Sequence, residues 1–305
     1  MDNDKKTKID KEYGRVFHEI RKSKGYTQHE IEDSTVSAAS ISRFEHGLTM
    51  LGTDSFLKIL RNIGVTSSEY ESIFQKLSTQ HDPMPLQNAQ ILAKALETRN
   101  ISLLESLLTK VRQEIKNRPY QKKYQFDRIL VEIVLTKLDS SRVISRKDIR
   151  FLTDFLLKVK HWGRYETFLL SWAVEIFNTE TLEQLFMQMI IKSNYNTLSN
   201  IDKKSVLDTA LNVLDSFLVR KELPAAKEVI FQLENLEITA QLLYEKMELK
   251  YDKARFNFLS DLLPDLAKDE MWYYYDVLKY AGAFELANIV REEIQDLTEE
   301  NEEKK

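Results

Sequence analysis

Small side chains interleaved with hydrogen-bonding groups are concentrated near the N-terminus of the chain. The set consists of Gln28, Ser37, Ala38, Ala39, Ser40 and Arg43. An alanine methyl group can contact the methyl group of thymine, and an arginine can donate two parallel hydrogen bonds to guanine or hold a phosphate. Gln28 and Ser37 each stand at the predicted start of a helix, where free backbone N–H groups bind phosphate. These residue types at this spacing predict contacts with double-stranded DNA, although each residue taken singly also fits a structural role.

Capping signals predict five short helices that would position these side chains. The second helix begins at the capping-box pair Thr27 and Glu30 and ends near Ser34. The third helix begins at Ser37, carries Ile41 and Phe44 on its inward face, and ends at Gly47. The other boundaries are the end of the first helix at Gly25 and the starts of the last two at Thr53 and Ser68. A tight turn between the second and third helices defines a helix-turn-helix, whose third helix can lie in the major groove.

The composition of the 305-residue chain predicts an all-α protein. Five of its seven glycines fall within the first 64 positions, and the rest is rich in Leu, Glu and Lys with few helix breakers. We predict a helix-turn-helix domain over residues 1–78 and a linker over 79–86, where Pro83 and Pro85 disfavour helix. Residues 87–305 then form a second, larger domain.

The second domain is predicted to be a tetratricopeptide-like solenoid. Apolar residues at spacings of three and four indicate twelve amphipathic helices, among them 237–250, 252–267 and 269–281. Short connections favour antiparallel helical hairpins, and stacked hairpins leave an extended groove along one face.

Several classes of protein are excluded by what the sequence lacks. The absence of cysteine excludes disulfides, thiolate nucleophiles and cysteine-ligated metal sites. No phosphate-binding loop, zinc-protease motif or serine elbow occurs, so neither enzymatic activity nor a cofactor is expected. No apolar run approaches the roughly 20 residues that span a bilayer, and no secretory signal is evident. We therefore expect a cytoplasmic protein with no membrane partner.

Residues 12–76 resemble the XRE-type helix-turn-helix family. The resemblance rests on the capping pattern, on Gly25 and on the run ISRFEHG at positions 41–47. It implies that the six residues named first face DNA. It also implies that Arg21 and Glu45 form a buried ion pair between the first and third helices.

The chain as a whole resembles the Rgg/GadR/MutR regulators, within the RRNPP group of peptide-pheromone receptors. Besides ISRFEHG, the resemblance is carried by WGRYETFLL (162–170), LNVLDSFLVRKELPAAKEVIFQLENL (211–236) and MWYYYDVLKYAGAFELANIVREEIQDL (271–297). It implies a homodimer that controls promoters bearing inverted repeats. It also implies that the helical-repeat domain binds a short linear signalling peptide in its groove, as in quorum sensing.

Five polar residues of the second domain are candidates for contacting such a peptide. They are Asn212, Arg150, Arg164, Asn178 and Arg220. An asparagine can donate to and accept from a peptide backbone, and an arginine can bind a carboxylate. Asn212 ranks first because it lies in a segment that resembles the family, while a solvated helix face remains the alternative for all five. The aromatic run Trp272–Tyr275 is expected either at a dimer interface or in the core.

Three functions remain open from the sequence. The first is a transcription factor controlled by a peptide. The second is an adaptor whose solenoid binds a protein partner and whose helix-turn-helix is vestigial, and the third is a phage-type repressor without a ligand.

Overall fold

The computed structural model describes residues 2–77 and 88–302. The chain divides into two compact units, Met1–Pro83 and Met84–Lys305. Within the described ranges all regular structure is helical, which confirms the predicted all-α class. The predicted linker over 79–86 lies outside the described residues.

The first unit contains four α-helices in its described part. They are α1 (Asp2–Ser23), α2 (Ala38–Glu45), α3 (Thr53–Asn62) and α4 (Ser67–Leu77). Apolar side chains from all four helices form one buried cluster, in which Phe17, Phe44 and Phe56 pack with ring centroids 5.8–6.5 Å apart. Ile41 and Phe44 are almost fully buried, so the inward face predicted for this helix is confirmed.

The predicted second helix is wrong, because residues 27–34 contain only a turn at 28–30, followed by bends and irregular backbone. The predicted capping box is present: the Glu30 carboxylate accepts hydrogen bonds from the backbone N–H and the hydroxyl of Thr27. The chain then turns again at Asp33, whose carboxylate accepts hydrogen bonds from the backbone N–H groups of Thr35 and Val36. Such side-chain bonds compete with the helical backbone pattern, and here they prevail.

The second unit stacks helices in two layers. Its α-helices in the described range are α5 (Asn88–Glu97), α6 (Ile101–Asn117), α7 (Lys122–Leu138), α8 (Arg146–Lys158), α9 (Arg164–Ala173), α10 (Thr179–Ser193), α11 (Asn200–Val219), α12 (Leu223–Glu234), α13 (Leu243–Leu259), α14 (Pro264–Tyr280) and α15 (Phe284–Glu302). Helices α5, α7, α9, α11 and α13 pack side by side in that order, and α8, α10 and α12 form a second row. Helices α14 and α15 continue from α13 with a separate apolar cluster.

Two predicted boundaries in this unit are wrong, and the structure describes eleven helices where twelve were expected. We expected one break between Lys250 and Asp252 and another between Ala267 and Asp269, but α13 runs through the first position and α14 through the second. The break lies between α13 and α14, where Leu263 has a left-handed backbone (φ 49°) and Pro264 begins α14. Proline is favoured at a helix start because its missing N–H needs no partner there. Of the helices described, none combines the length and the apolar character needed to cross a bilayer.

Helices α1 and α2 touch backbone to backbone at Gly14. A Cβ atom added to Gly14 would lie 1.8 Å from the carbonyl oxygen of Phe44, so no larger residue fits without moving α2. By contrast, a Cβ at Gly163 would meet its nearest neighbour, the Glu166 carboxylate, at 3.5 Å, which is an ordinary contact.

We therefore expect Gly14→Ala to destabilise the first unit by about 1–3 kcal/mol, and Gly163→Ala to have little effect. The three tryptophans, at positions 162, 172 and 272, all lie in the second unit. In urea unfolding, Gly14→Ala should shift part of the circular-dichroism transition to lower urea concentration. The transition followed by tryptophan fluorescence should keep its midpoint. An unchanged circular-dichroism curve would contradict the close packing of α1 on α2.

Candidate DNA-binding surface and ligand groove

Helix α2 begins at a well-formed cap. Ser37 has an extended backbone, and its hydroxyl accepts a hydrogen bond from the Ser40 N–H at 3.2 Å. The Glu32 carboxylate accepts the next free donor, the Ala38 N–H, at 2.8 Å. That hydrogen bond, followed by one with His29, holds the pKa of Glu32 below its ordinary value. The Ala38 N–H therefore has a partner within the chain, and the negative charge beside it disfavours a phosphate at this position.

The surface of α2 differs in one residue from the predicted one. Ser37, Ala39 and Arg43 are exposed and Ser40 is half-buried, but Ala38 is buried at 8% exposure. The Ala38 methyl group faces the interior because it lies three residues before Ile41 on the apolar side of the helix. Ala39 and Arg43 are one helical turn apart and share the outer face. Among the described residues, the Arg43 guanidinium has no hydrogen-bond or ion-pair partner.

A buried ion pair holds α2 against α1. The Arg21 guanidinium forms two hydrogen bonds with the Glu45 carboxylate, at 2.6 and 2.7 Å, and the two side chains are 2% and 1% exposed. This confirms the pair that the family resemblance implied. His18 lies 2.8 Å from the same carboxylate, and the Gln28 amide nitrogen donates to it, also at 2.8 Å. Gln28 is thus half-buried and fastens the turn before α2 to that helix.

The hydrogen bonds to Glu45 decide its charge. Burial alone would raise the pKa of Glu45, but the hydrogen bonds from Arg21, His18 and Gln28 outweigh burial and hold the pKa below its ordinary value. Glu45 therefore stays ionised, and the ion pair persists wherever the ordinary carboxylates of the surface are ionised.

A cavity of about 320 Å³ in the second unit brings together two of the five candidate ligand residues. It is lined by Lys137, Ser171, Val174, Glu175, Asn212, Asp215, Ser216, Val219 and Arg220, from α7, α9 and the turn that follows α9, and α11. Asn212 is exposed, and its amide donates to the Ser171 hydroxyl at 2.8 Å. Ser216 is only 7% exposed, and its hydroxyl has no partner among the described residues.

The remaining candidates have structural partners or lie elsewhere. Arg220 lines the cavity but donates to the carbonyl oxygens of Phe177 and Val174 at 2.8 and 3.0 Å, which holds the turn after α9. Asn178 caps α10 by accepting the Thr181 N–H at 2.9 Å. Arg164 bonds to Asp202, and Arg150 is exposed on α8. None of these last three lines the cavity that holds Asn212.

The sequence did not predict a group of carboxylates that lies next to this cavity. They are Asp208 and Asp215 of α11, Glu245, Glu248 and Asp252 of α13, and Glu293 of α15. Arg255 bonds to Asp215 at 2.7 Å, to Asp252 at 2.9 Å and to Glu293, and Lys204 bonds to Asp208 at 2.9 Å and to Glu245. The helical spacing of these acids was visible in the sequence, but the packing of α11 against α13 was not.

The half-buried Glu248 is the member of the group that has no hydrogen-bond or ion-pair partner among the described residues. Burial raises the pKa of Glu248 to about 7, and the neighbouring carboxylates of Asp208, Glu245 and Asp215 add to the rise. Since its folded-state pKa lies above the ordinary value of 4.5, the folded protein holds a proton that the unfolded chain releases. Stability from this group is present at pH 4.5 and is lost as the pH rises through 7.

We expect the free energy of unfolding of Glu248→Gln, measured relative to the wild type, to increase by about 1–3 kcal/mol as the pH rises from 5 to 8. The measurement is urea unfolding followed by tryptophan fluorescence at each pH. Glu228→Gln, which removes an exposed carboxylate on α12, is the matched control and should show no such trend. A difference between Glu248→Gln and wild type that does not depend on pH would contradict the raised pKa.

The fold and these surfaces define a class: a helix-turn-helix regulator of transcription joined to a helical-repeat domain. A helix-turn-helix family model matches residues 17–70, and the model of the C-terminal domain of the HTH-type transcriptional regulator Rgg matches residues 106–292, more than half of the chain. The chain belongs to the Rgg family of helix-turn-helix transcriptional regulators.

Two solved structures share this fold over nearly their whole length. The SHP pheromone receptor Rgg2 of Streptococcus dysgalactiae is 21% identical, with 93% of this chain and 99% of that chain covered and a TM-score of 0.76. The PrgX/iCF10 complex is 14% identical, with 95% and 97% covered and a TM-score of 0.69. At these identities the likeness concerns the fold.

Proposed function

We propose that this regulator binds an inverted-repeat promoter site as a homodimer and is controlled by a short linear peptide in the groove of its second unit. The observation that carries the proposal is the outer face of α2. There Ala39 and Arg43, which has no partner in the described part of the chain, lie on a helix fixed by a buried ion pair. The protein would act in the cytoplasm, by binding rather than by catalysis, and without a cofactor.

The DNA contacts we propose fall into two kinds. Arg43 and Ala39 would contact base edges from the major groove, because they lie one turn apart on the outer face of α2. The hydroxyls of Ser37 and Ser40, rather than the Ala38 N–H that Glu32 already occupies, would contact the DNA backbone. Gln28 would act by positioning α2 through Glu45, and Ala38 by packing below the surface.

Arg43→Ala should weaken binding to DNA from the gene's own upstream region by about 1–3 kcal/mol, roughly 5- to 150-fold. Lys76→Ala, which removes an exposed cation on α4 of the same unit, is the matched control and should change affinity far less. Affinities are measured by gel shift across salt concentrations. If Arg43→Ala binds DNA as tightly as the wild type at every salt concentration, the result would favour the alternative of an adaptor whose helix-turn-helix is vestigial.

The peptide proposal rests on the cavity around Asn212. Its volume lies at the lower end of the range for ligand sites, and it offers the polar atoms an extended backbone needs. The exposed Asn212 amide can donate and accept. The two similar structures are a pheromone receptor and a complex with iCF10, which supports a ligand of this kind here.

Asn212→Ala should reduce the amount of peptide that co-purifies with the protein from its host, by about tenfold, because one bidentate backbone contact is lost. The amount is quantified by mass spectrometry. Asn117→Ala, at the exposed end of α6, is the control and should retain the peptide. If no peptide co-purifies and DNA binding is independent of added peptide fractions, the protein is a repressor without a ligand.

The dimer proposal rests on an apolar stripe along α14. Leu266, Tyr273 and Tyr280 recur every seven residues and are 54%, 71% and 96% exposed. Of the aromatic run expected at an interface or in the core, Tyr274 is buried, Trp272 and Tyr275 are half-buried and Tyr273 is exposed. A single helix-turn-helix unit offers little contact area, so two half-sites on one duplex supply the affinity.

The double variant Tyr273→Glu/Tyr280→Glu should shift the mass in light scattering from two copies to one. Tyr120→Glu, at a position that is 96% exposed outside this stripe, serves as the control and should remain dimeric. A dimer that survives both charges places the interface elsewhere.

A further inference from the structure

One histidine of the first unit differs from the others in its partner. The structure describes three histidine side chains in this unit. His18 and His29 each lie within hydrogen-bond distance of a carboxylate, at 2.8 and 3.2 Å. His46, at the end of α2, bonds instead to a neutral group: its Nδ1 atom lies 2.7 Å from the carbonyl oxygen of Ser42. Within the described part of the chain, no carboxylate bonds to His46.

The bond to Ser42 decides what the rest of the ring can bind. A carbonyl oxygen only accepts hydrogen bonds, so the Nδ1 atom of His46 carries a hydrogen in both the neutral and the protonated ring. The neutral ring therefore presents a lone pair at Nε2, which has no hydrogen-bond partner among the described residues. The protonated ring presents an N–H at Nε2 together with a positive charge. Only the protonated form can donate to an anion from this atom.

His46 extends the outer face of α2. It is exposed, and it follows Ala39 by seven residues and Arg43 by three, so the three side chains lie on one side of the helix. Its position at the C-terminal end is about 10 Å along the helix axis from Ala39. A recognition helix reads base edges with its N-terminal residues, so a side chain at the other end is placed toward the sugar–phosphate backbone. A phosphate is therefore the partner that this position favours.

The described charged groups around His46 also favour an anion from outside the chain. From α1, Lys11 packs against the residue that follows His46. On α2 itself, Arg43 is exposed on the same face, while the Glu45 carboxylate is bonded in the interior. The loop between α2 and α3 carries no charged side chain, and the first acid beyond it is Asp54. Cations that lie close together on a surface attract phosphate.

We propose that His46, in its protonated form, donates a hydrogen bond from Nε2 to a phosphate of the bound DNA. The inference rests on the proposed DNA-binding function and adds to it a contact that depends on pH. The phosphate stabilises the protonated ring, so the ring takes up a proton from solvent when DNA binds at a pH where it is otherwise neutral. An ordinary imidazole titrates near pH ~6.5. The contact is therefore present at low pH, and affinity for DNA falls as the pH rises from 6 to 8.

The test measures the affinity of the full-length protein for a duplex from the gene's own upstream region at pH 6 and at pH 8, by fluorescence anisotropy. The dissociation constant of the wild type should be at least about fivefold lower at pH 6. The slope of log K against log salt should also be steeper at pH 6, by about 0.9 for each protonated His46. An affinity that is equal at the two pH values, or higher at pH 8, overturns the proposal.

Three variants locate the effect. His46→Gln, which is neutral at both pH values, should match the wild type at pH 8 to within about twofold and lose the gain at pH 6. His46→Arg, which stays charged, should bind at pH 8 about as tightly as the wild type does at pH 6. His29→Gln is the matched control and should keep the wild-type response, because exposed His29 already lies beside a carboxylate of its own chain.

Two results with these variants would contradict the assignment. A gain at pH 6 that persists in His46→Gln places the titrating group elsewhere. A loss of affinity that is equal at pH 6 and pH 8 in His46→Gln, and that His46→Arg does not reverse, shows a purely structural role at the end of α2.

The phosphate contact and the proposed DNA-binding function can fail separately. An affinity that Arg43→Ala weakens and that does not change between pH 6 and pH 8 would support the function and contradict the contact made by His46. No binding of the duplex at either pH would contradict the function, and the contact with it.

Discussion

The Arg21–Glu45 ion pair is the constraint on which the DNA-binding surface depends. Each partner is almost completely removed from water, and a buried charge that loses its partner destabilises a protein by several kcal/mol. The pair fixes the distance and rotation of α2 relative to α1, and Gly14 allows the two backbones to touch. With the inner face of α2 held in this way, Ala39 and Arg43 can only face outward. Gln28 then takes part in the same network, because its amide completes the hydrogen bonding of Glu45.

Buried charges also join helices in the second unit, but there the carboxylates and the cations are unequal in number. Arg255 joins α11, α13 and α15 by bonding to one carboxylate from each. In the first unit the ion pair is complete within the chain. Among the described residues of the second unit, the group around Lys204 and Arg255 contains six carboxylates, and one of them, Glu248, has no hydrogen-bond or ion-pair partner there. Completed networks stabilise a fold, whereas a half-buried carboxylate without a partner has a raised pKa.

Local signals in the sequence predicted what depends on local interactions. The all-α class, the start of α2 at Ser37 and its inward Ile41 and Phe44 follow from capping and periodicity, and all agree with the structure. The extra helix after Thr27 was wrong because side-chain hydrogen bonds around Asp33 replaced the helical pattern. The burial of Ala38, the use of Arg220 to hold a turn and the joining of acids from α11 and α13 all depend on contacts more distant in sequence. Periodicity gives the face of a helix but not the neighbour that covers it.

The central claim is that the outer face of α2 recognises DNA sequence, and the base-preference profile of the protein tests it most directly. Such a profile comes from selecting bound duplexes out of a random pool with the wild type and with Arg43→Ala. Our account predicts two symmetric half-sites for the wild type. It predicts that Arg43→Ala relaxes the preference at the same one or two positions of each half-site and preserves the others. Identical profiles for the two proteins, or no preference in either, would contradict it.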